Sequence, residues 1–345
     1  CLHLRTLKWR RCNHSMPRDV HPVADGMIAP APFECPQLKR VTLGTRGSQL
    51  AVAQAELVKE ALERLPESPK ISIRIIRTTG DQRLDISLSH AGSKIGMGLF
   101  TKEVDEALIS GEIDVAVHSL KDLPTELPLG LELVATLVRH DPVDMLISKS
   151  ARILSHIPAG GIVATSSPRR ARQIAVHRPD LRICDIRGNV PTRISKLLAE
   201  DSWNSLVLAK AGLERLGYRL TDGQLAFGTR RLFATELPEI LPAAGQGAIG
   251  LEIRANASEL RRLLGKINDA ATWFCTGVER EFLRLLGGGC TLPVGIRTSL
   301  EEAKLCCEAI VFDESGKPRS GKLSGRFDTP LAAASALLQN IYEKG

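Results

Sequence analysis

Short apolar stretches alternate with amphipathic ones along most of the chain. The segments Val41–Thr45 and Ile71–Ile75 have the composition and spacing of strands. Between them, apolar residues recur at helical spacing from Leu50 to Leu62, and Ser48 is placed to cap that helix. Strands that alternate with helices are typical of a sheet with helices packed on its faces. We therefore predict an α/β fold.

A second series of strands and helices begins near Val143. Its strands are predicted at Ile162–Ala164, Leu181–Ile186 and Leu206–Ala209, and a further strand at Ala248–Ile253 follows the series. We expect this late strand to return the chain to the first domain. Two crossings between domains would create a hinged cleft.

The pattern predicts three domains. The first comprises residues 41–138 together with 248–266, and the second comprises residues 139–247. A glycine run after a long helix, followed by strand-like segments and a final helix, indicates a small α+β domain at 270–345. The segment Gly80–Gly98 is polar, contains glycine and has no clear period, so we expect it to form a mobile lid over the cleft.

The charge distribution bears on the class of partner. The chain has 46 Lys and Arg against 39 Asp and Glu, and residues 1–40 hold more than half of the net charge of +7. A nearly neutral body with 4% aromatic residues lacks the basic face and the stacking platform of nucleic-acid binders, so we expect no nucleic-acid partner. The sequence has no apolar run of 18 or more residues, so we expect no membrane role.

The eight cysteines are scattered, and no pair has the C-x-x-C spacing of a zinc or redox site. We therefore expect no metal and a reducing, cytoplasmic location. We also expect a monomer. Residues 1–40 precede the first regular pattern and are expected to be a disordered extension outside the fold. This extension is either an organelle transit peptide or an over-extended reading frame, and we favour the second interpretation.

The strongest local motif is Thr165-Ser166-Ser167-Pro168-Arg169-Arg170, where a predicted strand meets a helix with proline at its first position. Backbone N–H groups, the helix dipole, hydroxyls and guanidiniums all favour an anion there. Arg187 and Arg193 follow the next strand in the same way, so both arginine pairs are expected at one sheet edge. Together they predict a polyanionic ligand. Three other arginines are interpreted as decoration of a helix and a loop: Arg172, Arg178 and Arg182.

Two further segments carry candidate chemistry. In His118-Ser119-Leu120-Lys121-Asp122, a carboxylate and an ammonium follow a predicted strand, and His118 is interpreted as structural. Asp122 is either a proton-handling group that stabilises a cationic intermediate or half of an ordinary salt bridge. Cys290, which follows a glycine run, is either an accessible reactive thiol or an ordinary loop cysteine.

In their order along the chain, these motifs resemble the porphobilinogen deaminase family. The resemblance runs from about Val41 to the last helix, nearly nine tenths of the chain. One departure lies at Gly96-Met97-Gly98, where the family commonly has a lysine between the glycines. The motifs are Thr45-Arg46-Gly47-Ser48, Gly98-Leu99-Phe100, Val117-His118-Ser119-Leu120-Lys121-Asp122, Ser166-Ser167-Pro168-Arg169-Arg170, Arg187-Gly188-Asn189-Val190, Pro242-Ala243-Ala244-Gly245-Gln246-Gly247 and Gly288-Gly289-Cys290.

The resemblance implies three α/β domains, the first two arranged like type II periplasmic binding proteins. It implies a transferase of tetrapyrrole and haem biosynthesis with a dipyrromethane cofactor, attached to Cys290 through a thioether. Four porphobilinogen molecules would be added in turn, each losing ammonia to form a cation that the growing chain attacks, and hydrolysis would release hydroxymethylbilane. The acetate and propionate of every pyrrole would account for the many arginines.

The resemblance also implies residue roles. It assigns Asp122 to proton handling and cation stabilisation. It assigns cofactor binding to Cys290, Lys121, Ser167, Arg169, Arg170 and Arg193. It assigns substrate binding to Arg46, Ser48, Phe100, Arg187, Arg215 and Gln246.

Two other functions stay open. A hinged cleft lined by arginines could capture a small dicarboxylate or phosphate without reaction, and such a binding protein has no use for Cys290. A thiol-dependent acyl transferase would need a base beside Cys290, and the sequence offers no evident histidine partner.

Overall fold

The computed structural model describes residues 38–78, 101–287 and 293–343. The predicted Gly80–Gly98 loop, Phe100, Cys290 and all but the last three residues of the 1–40 extension lie outside these described residues. The predictions made for them stay predictions.

The described helices and strands follow the predicted alternation. Up to residue 136 they are β1 (Arg40–Arg46), α1 (Gln49–Glu63), β2 (Lys70–Ile76), α2 (Lys102–Ile109), β3 (Val115–Ser119) and β4 (Leu131–Thr136). From 144 to 236 they are β5 (Asp144–Ser148), β6 (Ile162–Ala164), α3 (Pro168–His177), β7 (Arg182–Cys184), α4 (Val190–Ala199), β8 (Trp203–Ala209), α5 (Lys210–Arg215), β9 (Leu220–Thr221), β10 (Gln224–Phe227) and β11 (Arg230–Glu236). From 249 onward they are β12 (Ile249–Arg254), α6 (Ser258–Gly265), α7 (Ala270–Leu285), β13 (Val294–Glu301), β14 (Lys304–Phe312), β15 (Pro318–Gly325) and α8 (Pro330–Glu343).

The first sheet has the strand order β2-β1-β3-β12-β4. β1 is parallel to both β2 and β3, and β12 is antiparallel to β3 and β4. The chain therefore returns to this sheet after it has completed the second one. Helix α1 begins as predicted, because the Ser48 hydroxyl accepts a hydrogen bond from the Ala51 N–H, a cap that contributes about 1 kcal/mol.

The second sheet has the order β7-β6-β8-β5-β11-β10-β9. Strands β7, β6 and β8 are parallel neighbours, whereas β5 is antiparallel to both of its neighbours, β8 and β11. Separate apolar clusters bury the two faces of this sheet, one around Ile147, Ile194 and Leu206 and the other around Val163 and Ile174. The antiparallel strands β9 to β11 are absent from the sequence prediction.

Two crossing segments, residues 137–143 and 237–248, join the first two sheets and contact each other. The His140 N–H donates to the Gly247 carbonyl at 3.1 Å. Gly247 has a φ of +86°, and a Cβ built on it would lie 2.3 Å from the His140 carbonyl oxygen. Only glycine fits that conformation and that distance, so the two crossings can run side by side.

The third sheet, β13-β14-β15, is antiparallel and packs against α7 and α8. Its core contains Val278, Phe282, Ile296 and Leu337, all fully buried. The α/β fold class with a small α+β unit at the end is therefore confirmed. Among the helices in the described parts of the chain, none combines the length and apolar character that a membrane span requires.

Candidate active site

The predicted anion-binding turn lies between β6 and α3. Pro168 occupies the first turn of the helix, and the Ser167 hydroxyl accepts from the Arg170 N–H at 3.4 Å. The Ser166 hydroxyl donates to the Ile186 carbonyl at 2.7 Å and accepts from the Ile186 N–H at 3.0 Å. Ser166 thus joins this turn to the one that follows β7.

Arg169 and Arg170 are buried and pair with one carboxylate, that of Asp144 at the start of β5. Arg170 Nη2 lies 2.7 Å from Asp144 Oδ1, and Arg169 Nη1 lies 2.8 Å from Oδ2. The two guanidiniums also donate to backbone carbonyls, Arg169 to Leu241 at 2.5 Å and Arg170 to Val207 at 2.9 Å. These contacts fix both arginines in place.

The charges at this point do not cancel. Burial alone would raise the pKa of Asp144, but the charges of Arg169 and Arg170 outweigh it and hold the pKa well below its usual range. Burial also lowers the pKa of Arg169, and Arg170 adds to that effect. Two guanidiniums against one carboxylate leave a fixed excess of positive charge.

The second turn, Arg187-Gly188-Asn189, precedes α4. The Asn189 side chain caps the helix by accepting from the Thr192 N–H at 2.9 Å. The Arg193 Nε donates to the Gly188 carbonyl at 2.7 Å. Because β6 and β7 are parallel neighbours, both arginine turns emerge at the same edge of the second sheet, as predicted.

Lys121 and Asp122 form a short 3-10 turn at the end of β3, anchored by the Leu120 N–H, which donates to the Ala248 carbonyl at 3.1 Å. Burial lowers the pKa of Lys121 to about 8, with Arg170 and Arg169 adding to the effect and Asp122 and Asp144 opposing it. Lys121 therefore lies within electrostatic reach of arginines on the second sheet.

Arg193, on the second sheet, likewise lies within electrostatic reach of the first sheet. Burial lowers its pKa to about 10, Arg170 and Arg187 contribute in the same direction, and Asp122 opposes them. The structure thus brings five cations and two carboxylates together from the ends of strands in two sheets. We name them the cationic cluster: Lys121, Asp122, Asp144, Arg169, Arg170, Arg187 and Arg193.

Arg46 and Ser48 lie at the end of β1, next to β3 in the first sheet. Because β1 and β3 are parallel, both strands end at the edge that carries Lys121 and Asp122. The Ser48 side chain also caps helix α1.

Gln246 and Arg215 lie at the crossing segments. Gln246 is 1% exposed and donates through Nε2 to the Pro142 carbonyl at 2.6 Å and to Asp144 Oδ1 at 2.8 Å. Arg215 Nη2 donates to the Gly247 carbonyl at 2.6 Å, and burial lowers the pKa of Arg215 to about 10.

Sequence reasoning missed Asp144, although a signal was present. Asp144 is the one acid in the otherwise apolar segment Val143–Ile147, and a buried carboxylate requires cationic partners. It also missed Glu279 of α7, which is fully buried and pairs with Arg139 of the crossing segment at 2.8 Å.

The fold and the cluster define a class of protein: an α/β protein whose described residues form three sheets, with one cationic site at strand ends of the first two. Residues 41–262 match the family described as porphobilinogen deaminase, dipyromethane cofactor binding domain, and residues 273–342 match the porphobilinogen deaminase C-terminal domain. The chain belongs to the porphobilinogen deaminase family. Members of this family are transferases of tetrapyrrole biosynthesis that use porphobilinogen and carry a dipyrromethane cofactor.

The chain is similar in sequence to known porphobilinogen deaminases over most of their length. The porphobilinogen deaminase of Syntrophomonas wolfei is 42% identical over 314 residues, which cover 89% of this chain and 97% of the relative. That of Desulforudis audaxviator is 43% identical over 310 residues, which cover 89% and 96%. Among solved structures, the methionine binding protein MetQ aligns with a TM-score of 0.40 at 11% identity, over 73% of this chain and 97% of that one. The Bordetella pertussis BvgS periplasmic VFT2 domain aligns with a TM-score of 0.40 at 14% identity, over 66% and 86%.

Proposed function

We propose that this chain condenses four porphobilinogen molecules head to tail, with loss of one ammonia at each condensation, and then releases hydroxymethylbilane by hydrolysis. The observation that carries the proposal is that Lys121 and Asp122, on the first sheet, lie within electrostatic reach of Arg170 and Arg193, on the second. Each pyrrole unit bears two carboxylates, so a lengthening oligopyrrole needs fixed positive charge on both sides of its site.

The donor set of the cluster fits a dipyrromethane. We propose that Lys121, Ser167, Arg169, Arg170 and Arg193 hold its four carboxylates and that Cys290 attaches it. When bound, this group supplies the pyrrole α-carbon to which substrate units are joined. The arginines are held by carbonyl and carboxylate contacts before any ligand arrives, which lowers the entropic cost of binding a polyanion.

We propose that Asp122 is the catalytic carboxylate. It is exposed on its turn, while Lys121 beside it is half-buried. A carboxylate in that position can accept a hydrogen bond from a pyrrole N–H and stabilise the positive charge that develops on the substrate as ammonia leaves. It can also take up the proton that the ring carbon must lose.

For the incoming porphobilinogen, we propose Arg46, Ser48, Arg187, Arg215 and Phe100 as binding residues. The family resemblance also implies that Gln246 binds substrate. Since its amide N–H groups already reach Pro142 and Asp144, we propose that it acts on the substrate site chiefly by holding Asp144.

We further propose that the chain is a monomer with the domain bounds given above and that it works in the cytoplasm. Each of the three sheets has an apolar core of its own, which supports the domain division. Four described cysteines are free thiols, in keeping with a reducing compartment: Cys184, Cys275, Cys306 and Cys307. Size-exclusion chromatography with light scattering tests the oligomeric state.

Intact-mass spectrometry tests the proposal. The purified chain should be heavier than its sequence by two linked pyrroles, and Cys290→Ala should abolish both the increment and turnover of porphobilinogen. Cys306→Ala is the matched control, because Cys306 is a half-buried free thiol in a strand and should leave both unchanged. A chain with no increment, or an increment that survives Cys290→Ala, would contradict the proposal, and the first result would favour a binding protein.

A further inference from the structure

Three buried titratable side chains come together within the first sheet and its helix α2, apart from the cationic cluster. They are Asp105 on α2, His118 on β3 and Glu252 on β12, with 8%, 7% and 0% of their surfaces exposed. One ligand-capable atom from each lies within 4.8 Å of the other two. His118 Nε2 and Glu252 Oε2 are 3.0 Å apart.

Negative charge predominates in this group. Apart from His118, the side-chain charges that act most strongly on Asp105 are those of Glu252 and Glu106, which are both negative. Two buried carboxylates against one imidazole carry a large desolvation cost, which a further cation bound between them would offset.

Two carboxylate oxygens also lack partners. Within the described ranges, Glu252 Oε1 and Asp105 Oδ1 are buried and accept no hydrogen bond. Buried carboxylate oxygens are normally satisfied by a protein group, an ordered water or an ion, so this pair beside a histidine calls for a partner that the protein atoms do not supply. A cation that both oxygens can coordinate meets the charge deficit and the missing contacts together.

We propose that Asp105, His118 and Glu252 form a binding site for a divalent transition-metal cation of the zinc class. One imidazole and two carboxylates are the donor types that such ions accept, whereas Mg²⁺ and Ca²⁺ prefer oxygen ligands alone. Ligands at about 2.1 Å from one ion lie up to about 4.2 Å apart. The observed spacing therefore requires only a small adjustment of the side chains to close around the ion.

The site would stabilise the sheet and take no part in the reaction. It would join α2 and β3, which are neighbours along the chain, to the distant strand β12, and β3 leads directly into the turn of Lys121 and Asp122. The sequence led us to expect no metal because it has no C-x-x-C pair, but that absence argues only against metal sites built from cysteines. The three ligands here are separated by 13 and 134 residues and leave no short motif in the sequence.

Co²⁺ binding to the chelator-treated full chain tests the proposal. Equilibrium dialysis should give one Co²⁺ per chain, with visible absorption bands of a low-coordinate site and no intense thiolate charge-transfer band. Asp105→Asn should weaken binding by more than about 100-fold, because removal of a direct ligand exceeds the 10–100-fold cost of removing an outer one. His140→Gln is the matched control, since His140 also pairs with a glutamate, Glu214 at 3.3 Å, but is half-exposed, and it should bind Co²⁺ like the unmodified chain.

A second measurement needs no variant. Crystals of the unmodified chain soaked in Co²⁺ should show an anomalous density peak between the three side chains. Absence of stoichiometric Co²⁺, a thiolate band, equal binding by Asp105→Asn, or anomalous density elsewhere would each overturn the proposal. The last measurement keeps the test decisive if Asp105→Asn fails to fold.

Discussion

Arg170 and Asp144 form a buried ion pair in which Nη2 lies 2.7 Å from Oδ1, and this pair joins helix α3 to strand β5. The same oxygen accepts from Gln246 of the crossing segment, so one carboxylate holds three elements of the site. Arg170, which is proposed to bind the ligand, is therefore positioned by Asp144, and Asp144 does not itself need to contact the ligand.

The first prediction concerns Asp144→Asn. The substitution leaves two buried guanidiniums without their counter-charge, so the free energy of unfolding in urea should fall by about 3–5 kcal/mol. Asp180→Asn is the control, because Asp180 pairs with Arg178 at the surface and should change stability little. Equal losses in the two variants would contradict the role given to Asp144.

The pH dependence of the same variant gives an independent check. The pKa of Asp144 in the folded chain lies below its ordinary value of 3.8. Its contribution to stability is therefore complete above the ordinary pKa and is lost as the pH falls toward the folded value. Between pH 5 and pH 2.5, the stability of the unmodified chain should fall more steeply than that of Asp144→Asn, as measured by urea unfolding at each pH.

The second prediction uses the lowered pKa of Lys121. In the Cys290→Ala chain at pH 9, more than half of the Lys121 side chains should be neutral and nucleophilic, because the folded pKa is about 8. Lys210 is also half-buried, but its hydrogen bond to Glu236 raises its pKa, so it should stay protonated. Peptide mapping after brief treatment with an acylating reagent should show Lys121 modified well before Lys210, and the reverse order would refute the electrostatic account of the cluster.

The sequence predicted those parts of the fold that local patterns determine. Ser48 and Pro168 mark helix starts because a cap and a first-turn proline depend on neighbouring residues alone. Strands β9 and β10 escaped prediction because they are short, and β11 because it mixes polar with apolar residues. Their pairing depends on the rest of the sheet.

Some features of the candidate site also follow from local sequence patterns, and others do not. The arginine turns follow from strand ends and helix starts, which the sequence shows. The contacts of Asp144 with Arg170 and Gln246 join residues 26 and 102 positions apart, and that of Arg139 with Glu279 spans 140. No spacing rule connects such residues, because the folded sheets alone bring them together.

The third prediction concerns Arg193. Arg193→Gln removes a partly buried guanidinium from the cluster, and loss of a charge-assisted hydrogen bond of about 1.5–3 kcal/mol should lower turnover roughly 10–100-fold. Arg182→Gln is the control, because Arg182 lies exposed on β7 and donates to the Gly160 carbonyl. Steady-state rates of porphobilinogen consumption should separate the two variants, and equal rates would remove Arg193 from the site.

The fourth prediction concerns the pair of Arg139 and Glu279. Glu279 also accepts from the Gly245 N–H and from the Thr298 hydroxyl, each at 2.7 Å, and so links a crossing segment to the third sheet. Glu279→Gln should lower the free energy of unfolding by about 3–5 kcal/mol, since the charge of Arg139 is left unpaired in the interior. Glu281→Gln, on the same helix but in a surface pair with Arg284, should change it little. Urea unfolding measures both, and a similar small loss in the two variants would contradict the prediction.

The last prediction isolates Asp122. Asp122→Asn keeps the shape of an exposed side chain, so the variant should fold and retain the two-pyrrole mass increment, while turnover of porphobilinogen should fall by about 10²–10⁴-fold, the usual contribution of a positioned proton-transfer group. Glu126→Gln is the matched control, because Glu126 is an exposed carboxylate four residues further on and should keep full activity. Intact mass and single-turnover rates measured on the same samples separate loss of the cofactor from loss of chemistry. Full turnover by Asp122→Asn would leave the cationic cluster as a binding site and would require another group to handle the proton.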